Sequence, residues 1–164
     1  MISASIRLKN ENYQFKILVT GRTKTLMYSK IPFKIKEQFS IKLYLKYFDL
    51  FKTVETSDFI IITLDRNNPG DLTYINGRST GSAQFAYGFL KPCLINSYFA
   101  ETYGMNNENS FIFNDSLYLA MRDAILISNE EYKKKQYNMK KLADKISKMS
   151  KNNIKITLDY ILQK

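Results

Sequence analysis

A short run of small polar residues, Ser79-Thr80-Gly81-Ser82, has the composition of a phosphate-binding turn. The segment after it has helical character, so the run is expected to lie at a helix N-terminus. The first N–H groups of a helix have no partner within it, and the helix dipole adds partial positive charge there. Hydroxyl groups supply further donors, and glycine lets a ligand approach the backbone closely. The run therefore predicts an anion site, and an ordinary helix cap at Ser79 or Thr80 is the alternative interpretation.

A second glycine turn begins at Gly21. It follows an apolar, β-branched run at residues 15–20, which predicts a buried strand. Arg22 comes directly after the glycine, and Lys24 lies two residues further on. Open α/β sheets bind ligands at the carboxyl edge of their strands. We therefore expect these two cations to contact an anion at that edge, although a surface turn with solvated charges has the same composition.

The elements that would position the first turn are those of a βαβ unit at residues 58–95. An apolar run at residues 59–64 predicts a strand covered on both faces, and it ends at Asp65. A polar loop with Pro69 and Gly70 follows, then the 79–82 turn and a helix that ends before Pro92. A second apolar run at residues 93–95 predicts the next strand. This order predicts two parallel strands joined by a helical crossover.

The same alternation continues over most of the chain. It predicts an α/β fold, a Rossmann-like doubly wound parallel sheet of about five strands, with helices on both faces and C-terminal helices. We expect one domain over residues 1–164. A flavodoxin-like arrangement fits the same pattern, whereas a receiver domain is disfavoured because no acidic pair follows the first strand. The other expected elements are a helix or extended lead-in at 5–13, a helix at 25–30, a strand at 40–45, helices at 47–56 and 96–104, a strand at 110–113, a helix at 116–128 capped by Asp115, a long helix at 130–149 and a terminal helix or tail at 154–162.

Composition excludes several classes of function. The chain of 164 residues contains no histidine, which dismisses zinc chemistry and Ser–His catalysis. Its single cysteine, Cys93, falls in an expected buried strand, which fits a reducing, cytoplasmic compartment. No apolar run approaches the ~18 residues of a membrane span. The net charge of +10 can attract nucleic acid, anionic membrane or phosphorylated small molecules, but the lysines are spread along the chain.

Four segments carry a resemblance to a known family. They are FKILVTGRTK from residue 15, SDFIIITLDRNNPGDLTYI from residue 57, STGSAQFAYGFLKPCLI from residue 79 and YGMNNENSFIFNDSLYLAMRDAI from residue 103. In these segments the chain resembles the C-terminal, donor-binding half of a GT-B glycosyltransferase, and most of all bacterial enzymes of capsular or surface polysaccharide synthesis. The likeness covers residues 7–149. Its most specific piece is the third segment, in which Lys-Pro precedes an apolar strand.

The resemblance implies one half of a two-lobed enzyme that transfers a sugar from a nucleotide-sugar donor to a glycan acceptor. A second, N-terminal lobe, in cis or in trans, would bind the acceptor, so the chain alone is expected to bind donor weakly and to be inactive. No cofactor, metal or nucleic acid is expected, a homodimer is open, and the enzyme would work in the cytoplasm or at the inner face of the membrane. By resemblance, the donor diphosphate would contact Gly21, Arg22, Lys24, Ser79, Thr80, Gly81 and Ser82, and the candidate nucleoside or sugar contacts are Asp65, Tyr74 and Gln84.

Some points stay open at this stage. Gln84 lies where many retaining members of the family carry a ribose-binding glutamate, so the resemblance does not decide between retention and inversion. A sugar-nucleotide epimerase of the same two-lobed build shares the Ser/Gly phosphate turn. A non-catalytic module with a basic surface is a third hypothesis. An isolated half is also expected to expose apolar residues of the interlobe surface, among them Tyr74, Ile75 and Phe99.

Overall fold

Five short parallel strands form the sheets in the described part of the protein. A computed structural model describes residues 1–21, 30–76 and 78–162. Within these residues the hydrogen-bond ladders define two sheets, one of two strands and one of three. The strands are β1 (Ile17–Gly21), β2 (Phe39–Leu43), β3 (Ile60–Ile62), β4 (Cys93–Asn96) and β5 (Phe111–Phe113). β1 pairs with β2, and the second sheet has the order β3-β4-β5.

The predicted α/β class and the parallel pairing are confirmed. The sequence predicted one sheet of about five strands, whereas the described strands are divided between two sheets. The division has a simple physical reason. β3 and β5 have three residues each, so they offer few backbone N–H and C=O groups with which to extend a ladder.

Seven α-helices and two 3₁₀ turns are found in the described part of the chain. The crossover from β3 to β4 contains α3 and α4, and the crossover from β4 to β5 contains α5 and a 3₁₀ turn. The helices are α1 (Ile2–Asn10), α2 (Tyr47–Glu55), α3 (Pro69–Leu72), α4 (Gly81–Phe89), α5 (Ser97–Ala100), α6 (Leu117–Leu126) and α7 (Asn129–Leu162), and the 3₁₀ turns are Phe33–Gln38 and Glu101–Tyr103.

Helices cover both faces of the three-stranded sheet. Successive side chains of a strand point to opposite faces, and β4 is buried on both. Leu94 packs into a core cluster that includes residues of α1 and α6. Cys93 and Ile95 pack into a second cluster, which includes residues of α4, α5 and α7. The continuous apolar run of β4 is thus explained by burial on two sides.

Several predicted helix boundaries were wrong. Asp115 does not cap α6: the residue before that helix is Ser116, which makes no side-chain capping bond, and Asp115 instead pairs with Arg66 at 3.1 Å. The separate helices expected at 130–149 and 154–162 are one helix of 34 residues. Asn152 and Asn153 suggested a break, but asparagine costs an exposed helix only about 0.7 kcal/mol per residue or less. The helix expected at 25–30 lies, for all but its last residue, outside the described residues.

A glycine ends the 96–104 helical segment, as predicted. Gly104 has a φ of 62°, in the left-handed region that glycine enters without a steric penalty. Its backbone lies against α7: a Cβ atom built on Gly104 would be 2.8 Å from Leu142 Cδ1. Together the conformation and the close approach require glycine at this position. They fix where α7 crosses the 3₁₀ turn.

Candidate functional site

The start of α4 lies at the carboxyl edge of the three-stranded sheet. β3 and β4 are parallel neighbours, so the chain leaves the carboxyl end of β3 and α4 leads back to the amino end of β4. The polar turn before α4 is therefore at the edge where open α/β sheets bind ligands. The expectation that the turn lies at a helix N-terminus is confirmed, because α4 begins at Gly81.

Thr80 caps α4. Its Oγ1 accepts a hydrogen bond of 3.0 Å from the N–H of Ala83, the third residue of the helix. The ordinary capping role that the sequence offered as an alternative is thus present. It occupies Thr80 Oγ1 as an acceptor, and the side chain and backbone of Thr80 also lie within hydrogen-bonding reach of the Tyr103 hydroxyl. The cap thus explains the residue type at Thr80 and involves neither Gly81 nor Ser82.

Gly81 and Ser82 present free backbone donors. Among the residues that the structure describes, neither N–H has a hydrogen-bond acceptor. Gly81 is exposed, and a Cβ atom built on it would meet no atom within 4 Å. The space in front of the helix start is therefore open. Two unsatisfied N–H groups at a helix start, with room in front of them, form an arrangement that favours an anion.

Ser79 is held by the helix that follows it. Gln84 Nε2 donates a hydrogen bond of 2.7 Å to Ser79 Oγ. This bond turns the Gln84 amide towards the 79–82 turn, which the sequence could not predict. Gln84 was expected to contact the nucleoside or sugar. It does lie at the same end of α4, and its amide oxygen has no donor among the described residues.

Two tyrosines support the backbone just before the turn. Tyr103 OH donates to the carbonyl oxygen of Arg78 at 3.1 Å, and Tyr87 OH donates to the carbonyl oxygen of Tyr103 at 2.9 Å. Burial is the main cause that raises the pKa of both tyrosines above the usual phenol value, so both hydroxyls remain donors at neutral pH. The pair links α4, the 3₁₀ turn and the polar turn into one hydrogen-bonded unit.

Arg78 is a functional candidate that the sequence analysis missed. It directly precedes Ser79, its side chain is exposed, and its Cζ lies 5.9 Å from the ring centroid of Tyr74. In the described part of the chain, no carboxylate lies within ion-pair distance of it. A cation next to the open start of α4 adds to its attraction for an anion. The signal was available in the sequence as an arginine immediately before a Ser/Thr/Gly turn.

The other predicted site residues lie either outside the described residues or in segments that no described contact joins to the Ser79–Ser82 run. Arg22 and Lys24 lie outside the described residues, and Gly21 ends β1 in the other sheet. Asp65 follows β3 as expected, but its carboxylate accepts bonds of 2.9 Å and 3.2 Å from the backbone and side chain of Asn67. Its own N–H donates to Asp71 Oδ2 at 2.9 Å. Asp65 therefore shapes its loop, and no contact joins it to the 79–82 turn.

The candidate site is a surface feature rather than a closed cavity. Two surface cavities, of about 420 Å³ and 490 Å³, lie elsewhere, and no residue of the turn lines either one. The described residues contain no group of three or more carboxylate or thiol ligands that could hold a metal ion. They also include no helix long and apolar enough to cross a membrane.

The apolar surface differs from the expectation. Phe99 was expected to be exposed but is fully buried between α5 and the rest of the core, and Tyr74 and Ile75 are half-buried. The most exposed aromatic side chains of the described residues are instead Phe33, in the first 3₁₀ turn, and Tyr47 and Phe48, at the start of α2. Comparison with protein-family models finds no match, and no curated protein is similar in sequence to this chain.

Proposed function

We propose that this chain is the nucleotide-sugar donor-binding half of a glycosyltransferase that acts on a growing glycan. One observation carries the proposal: α4 begins in open space with two free N–H groups, next to an exposed arginine. This is a place where a diphosphate would be bound without displacing any described side chain. The resemblance to a GT-B donor-binding half also implies that the Ser79–Ser82 turn contacts the donor diphosphate.

The residues at the turn would act as follows. The N–H groups of Gly81 and Ser82 would donate to phosphate oxygens, and the Arg78 guanidinium would bind a second oxygen as a charge-assisted donor. The half-buried Ser82 hydroxyl is a further donor at the same place. During sugar transfer, negative charge grows on the departing nucleotide diphosphate. Donors that already point at it would stabilise that charge in the transition state.

The fold is compatible with this role. Helices on both faces of a parallel sheet are a property of doubly wound nucleotide-binding folds. We infer that the two observed sheets belong to one Rossmann-like layer, as the resemblance implies. The exposed aromatic side chains of Tyr47 and Phe48 would then face the second lobe, because α2 starts after β2, at the carboxyl edge of its own sheet. In the whole enzyme, that lobe would bind the acceptor.

A thermal-shift titration with uridine diphosphate, guanosine diphosphate and single-stranded RNA tests the proposal. At a ligand concentration tenfold above Kd, stabilisation should be about 1.4 kcal/mol, or about 3–5 °C for a chain of this size. Gly81→Val places a branched side chain in the open space and should abolish the shift. Gly88→Ala lies in the same helix, also in open space, and should retain it.

The outcomes separate the three hypotheses. A shift for one nucleotide that Gly81→Val removes supports the donor site. The net charge of +10 favours one alternative hypothesis, the basic binding module. That hypothesis predicts that single-stranded RNA raises the unfolding temperature and that this shift falls steeply with salt. No response to either nucleotide would refute the proposal. The epimerase hypothesis predicts interconversion of a nucleotide sugar by the complete two-lobed enzyme, without transfer to an acceptor.

A further inference from the structure

One side of α7 carries a row of exposed lysines. At ~100° and ~1.5 Å per residue, eight lysines fall within a sector of about 140° and span about 33 Å of the helix. We call this row the lysine face, and every member of it is exposed: Lys133, Lys134, Lys140, Lys141, Lys145, Lys148, Lys151 and Lys155. The row is continuous because α7 is one helix of 34 residues, whereas the two separate helices expected from the sequence would have divided it.

The body of the protein lies on the opposite side of α7. Met139 is fully buried, and Leu142 lies against Gly104. Both side chains point more than ~120° away from the centre of the lysine face. The lysine face is therefore turned away from the packed core, and a flat surface can contact its whole length without meeting the residues against which α7 packs.

The lysine face has a large excess of positive charge. In the described part of the chain, none of its lysines takes part in an ion pair. Asp144 is the one carboxylate between Lys133 and Lys155. From Lys141 to Lys155, successive lysines of the face lie three or four residues apart, a spacing at which like charges repel and destabilise a helix. An anionic partner next to the lysine face would relieve this repulsion, so the charge of the face selects a polyanion.

The composition of α7 favours lipid headgroups over nucleic acid as that polyanion. The helix contains no arginine. Arginine reads phosphates and base edges through a fork of fixed geometry, whereas lysine acts as a point charge. Proteins that bind single strands also supply a groove and aromatic rings on which bases stack. Here the surface is convex, and the ring on this side, Tyr137, has Lys141 Nζ 4.4 Å from its centroid.

The shape of the lysine face also matches a flat partner. It is a straight strip on a convex helix, so a plane can contact all of its lysines at once. A nucleic-acid duplex is itself a rod, and two rods touch over a short length unless one enters a groove of the other. The partner that makes the most charge contacts is therefore a plane of anionic headgroups.

We propose that the lysine face binds an anionic lipid surface, with α7 lying along the plane of the headgroups. The contact is electrostatic: between Lys133 and Lys155, the described residues on this side of the helix include no aliphatic side chain that could insert between acyl chains. Binding should therefore require anionic headgroups and should weaken as salt rises. The inference does not rest on the proposed donor site, because α7 contains none of the site residues.

Co-sedimentation with vesicles tests the proposal on the full chain. One set of vesicles is pure phosphatidylcholine, and the other contains about 30% phosphatidylglycerol. The chain should bind the anionic vesicles at an ionic strength of about 0.05 M. This binding should be lost near 0.5 M, where the Debye length is only ~4 Å. No binding to the anionic vesicles at low salt, or equal binding to both sets, would overturn the proposal.

Two quadruple variants with the same net charge separate the lysine face from charge in general. Each replaces four exposed lysines by glutamine, and the loss of four charges from +10 leaves +6. The first changes the lysine face and the second is the control: Lys140→Gln/Lys141→Gln/Lys145→Gln/Lys148→Gln, and Lys16→Gln/Lys34→Gln/Lys42→Gln/Lys52→Gln. A lysine near an anionic leaflet strengthens binding about fivefold, so the first variant should bind at least ~100-fold more weakly, and the control should stay within about fivefold of the unaltered chain. Equal losses in the two variants would refute the assignment to the lysine face.

Brief acetylation of lysines, read by mass spectrometry, measures the orientation on the vesicle. Anionic vesicles should protect Lys140, Lys141 and Lys148 from the reagent and should leave Lys34 and Lys42 as reactive as before. Protection of Lys34 and Lys42 instead would contradict the proposed orientation. A duplex RNA of about 20 base pairs is the competing polyanion. If it binds more tightly than the vesicles at the same salt, and the first variant removes that binding, the lysine face is a nucleic-acid surface and the proposal is wrong.

Discussion

Replacement of Gly104 by alanine tests how the long helix is held on the body. The φ of 62° costs an alanine roughly 1–2 kcal/mol, because its Cβ crowds the backbone in the left-handed region. The new Cβ would also lie 2.8 Å from Leu142 Cδ1, so the leucine would have to move. Overpacking of this kind costs about 1–3 kcal/mol, and the lower end applies because the contact is with the end of a flexible side chain. We expect a total loss of roughly 2–3 kcal/mol.

Urea unfolding at equilibrium measures this loss, and the chain offers a matched control. Gly88→Ala lies within α4, meets no atom within 4 Å and should stabilise the protein by roughly 0.5–1 kcal/mol. The two contributions at Gly104 separate in a double-variant cycle. In a Leu142→Ala background the clash is absent, so Gly104→Ala should cost only the conformational part, about 1–2 kcal/mol. A neutral or stabilising Gly104→Ala would refute the reasoning about both the turn and its contact with α7.

Two further predictions concern the supports of the candidate site. Thr80→Ala removes the cap of α4 and should lower the free energy of unfolding by about 1 kcal/mol. Thr80→Ser retains the hydroxyl and should cost much less. Equal losses for the two variants in urea unfolding would show that the hydroxyl does not cap the helix. Burial raises the pKa of Tyr87, so the folded state keeps a proton that the unfolded state loses. Stability is then complete below pH ~10 and falls as the pH rises further, and Tyr87→Phe should flatten that fall. A stability that does not change from about pH 9 to pH 11 would contradict this assignment.

Local patterns predicted most of the elements. The apolar run at residues 59–64 and the run that begins at Cys93 both became strands, because residues buried on two faces need no polar alternation. The helix expected from the Ser79–Ser82 turn begins at Gly81. Each of these features depends on neighbours within a few residues. This is the range over which strand pattern, capping and glycine conformations act.

Non-local contacts explain what the sequence did not predict. Asp115 reads as a helix cap but pairs with Arg66, which is 49 residues away in the chain. Phe99 reads as a surface residue of a short helix, yet it fills the core beside Ile95. In both cases the position of the side chain depends on a contact with a segment that is distant in sequence. A local sequence pattern contains no information about such a contact.

The candidate site was only partly predictable for a related reason. The type of turn follows from Thr80 and Gly81, because capping and close approach are local properties. The sequence places Arg78 directly before the turn, but the bond from Tyr103, 25 residues later, to the Arg78 carbonyl oxygen is a non-local contact. An exposed arginine in isolation has no stated function. Its position beside an open helix start makes it a candidate for binding an anion.

The most direct test of the donor site is the response of individual backbone amides to uridine diphosphate. In ¹⁵N-resolved NMR spectra, titration should shift the Gly81 and Ser82 amide signals more than any others in α4, since their N–H groups would donate to phosphate. Arg78→Gln should weaken this binding about tenfold, as expected for loss of ~1.5 kcal/mol from a charged hydrogen bond. Arg66→Gln, an exposed arginine on a different loop, should leave it unchanged. If the Gly81 and Ser82 signals stay in place while other residues respond, the start of α4 is not the anion site.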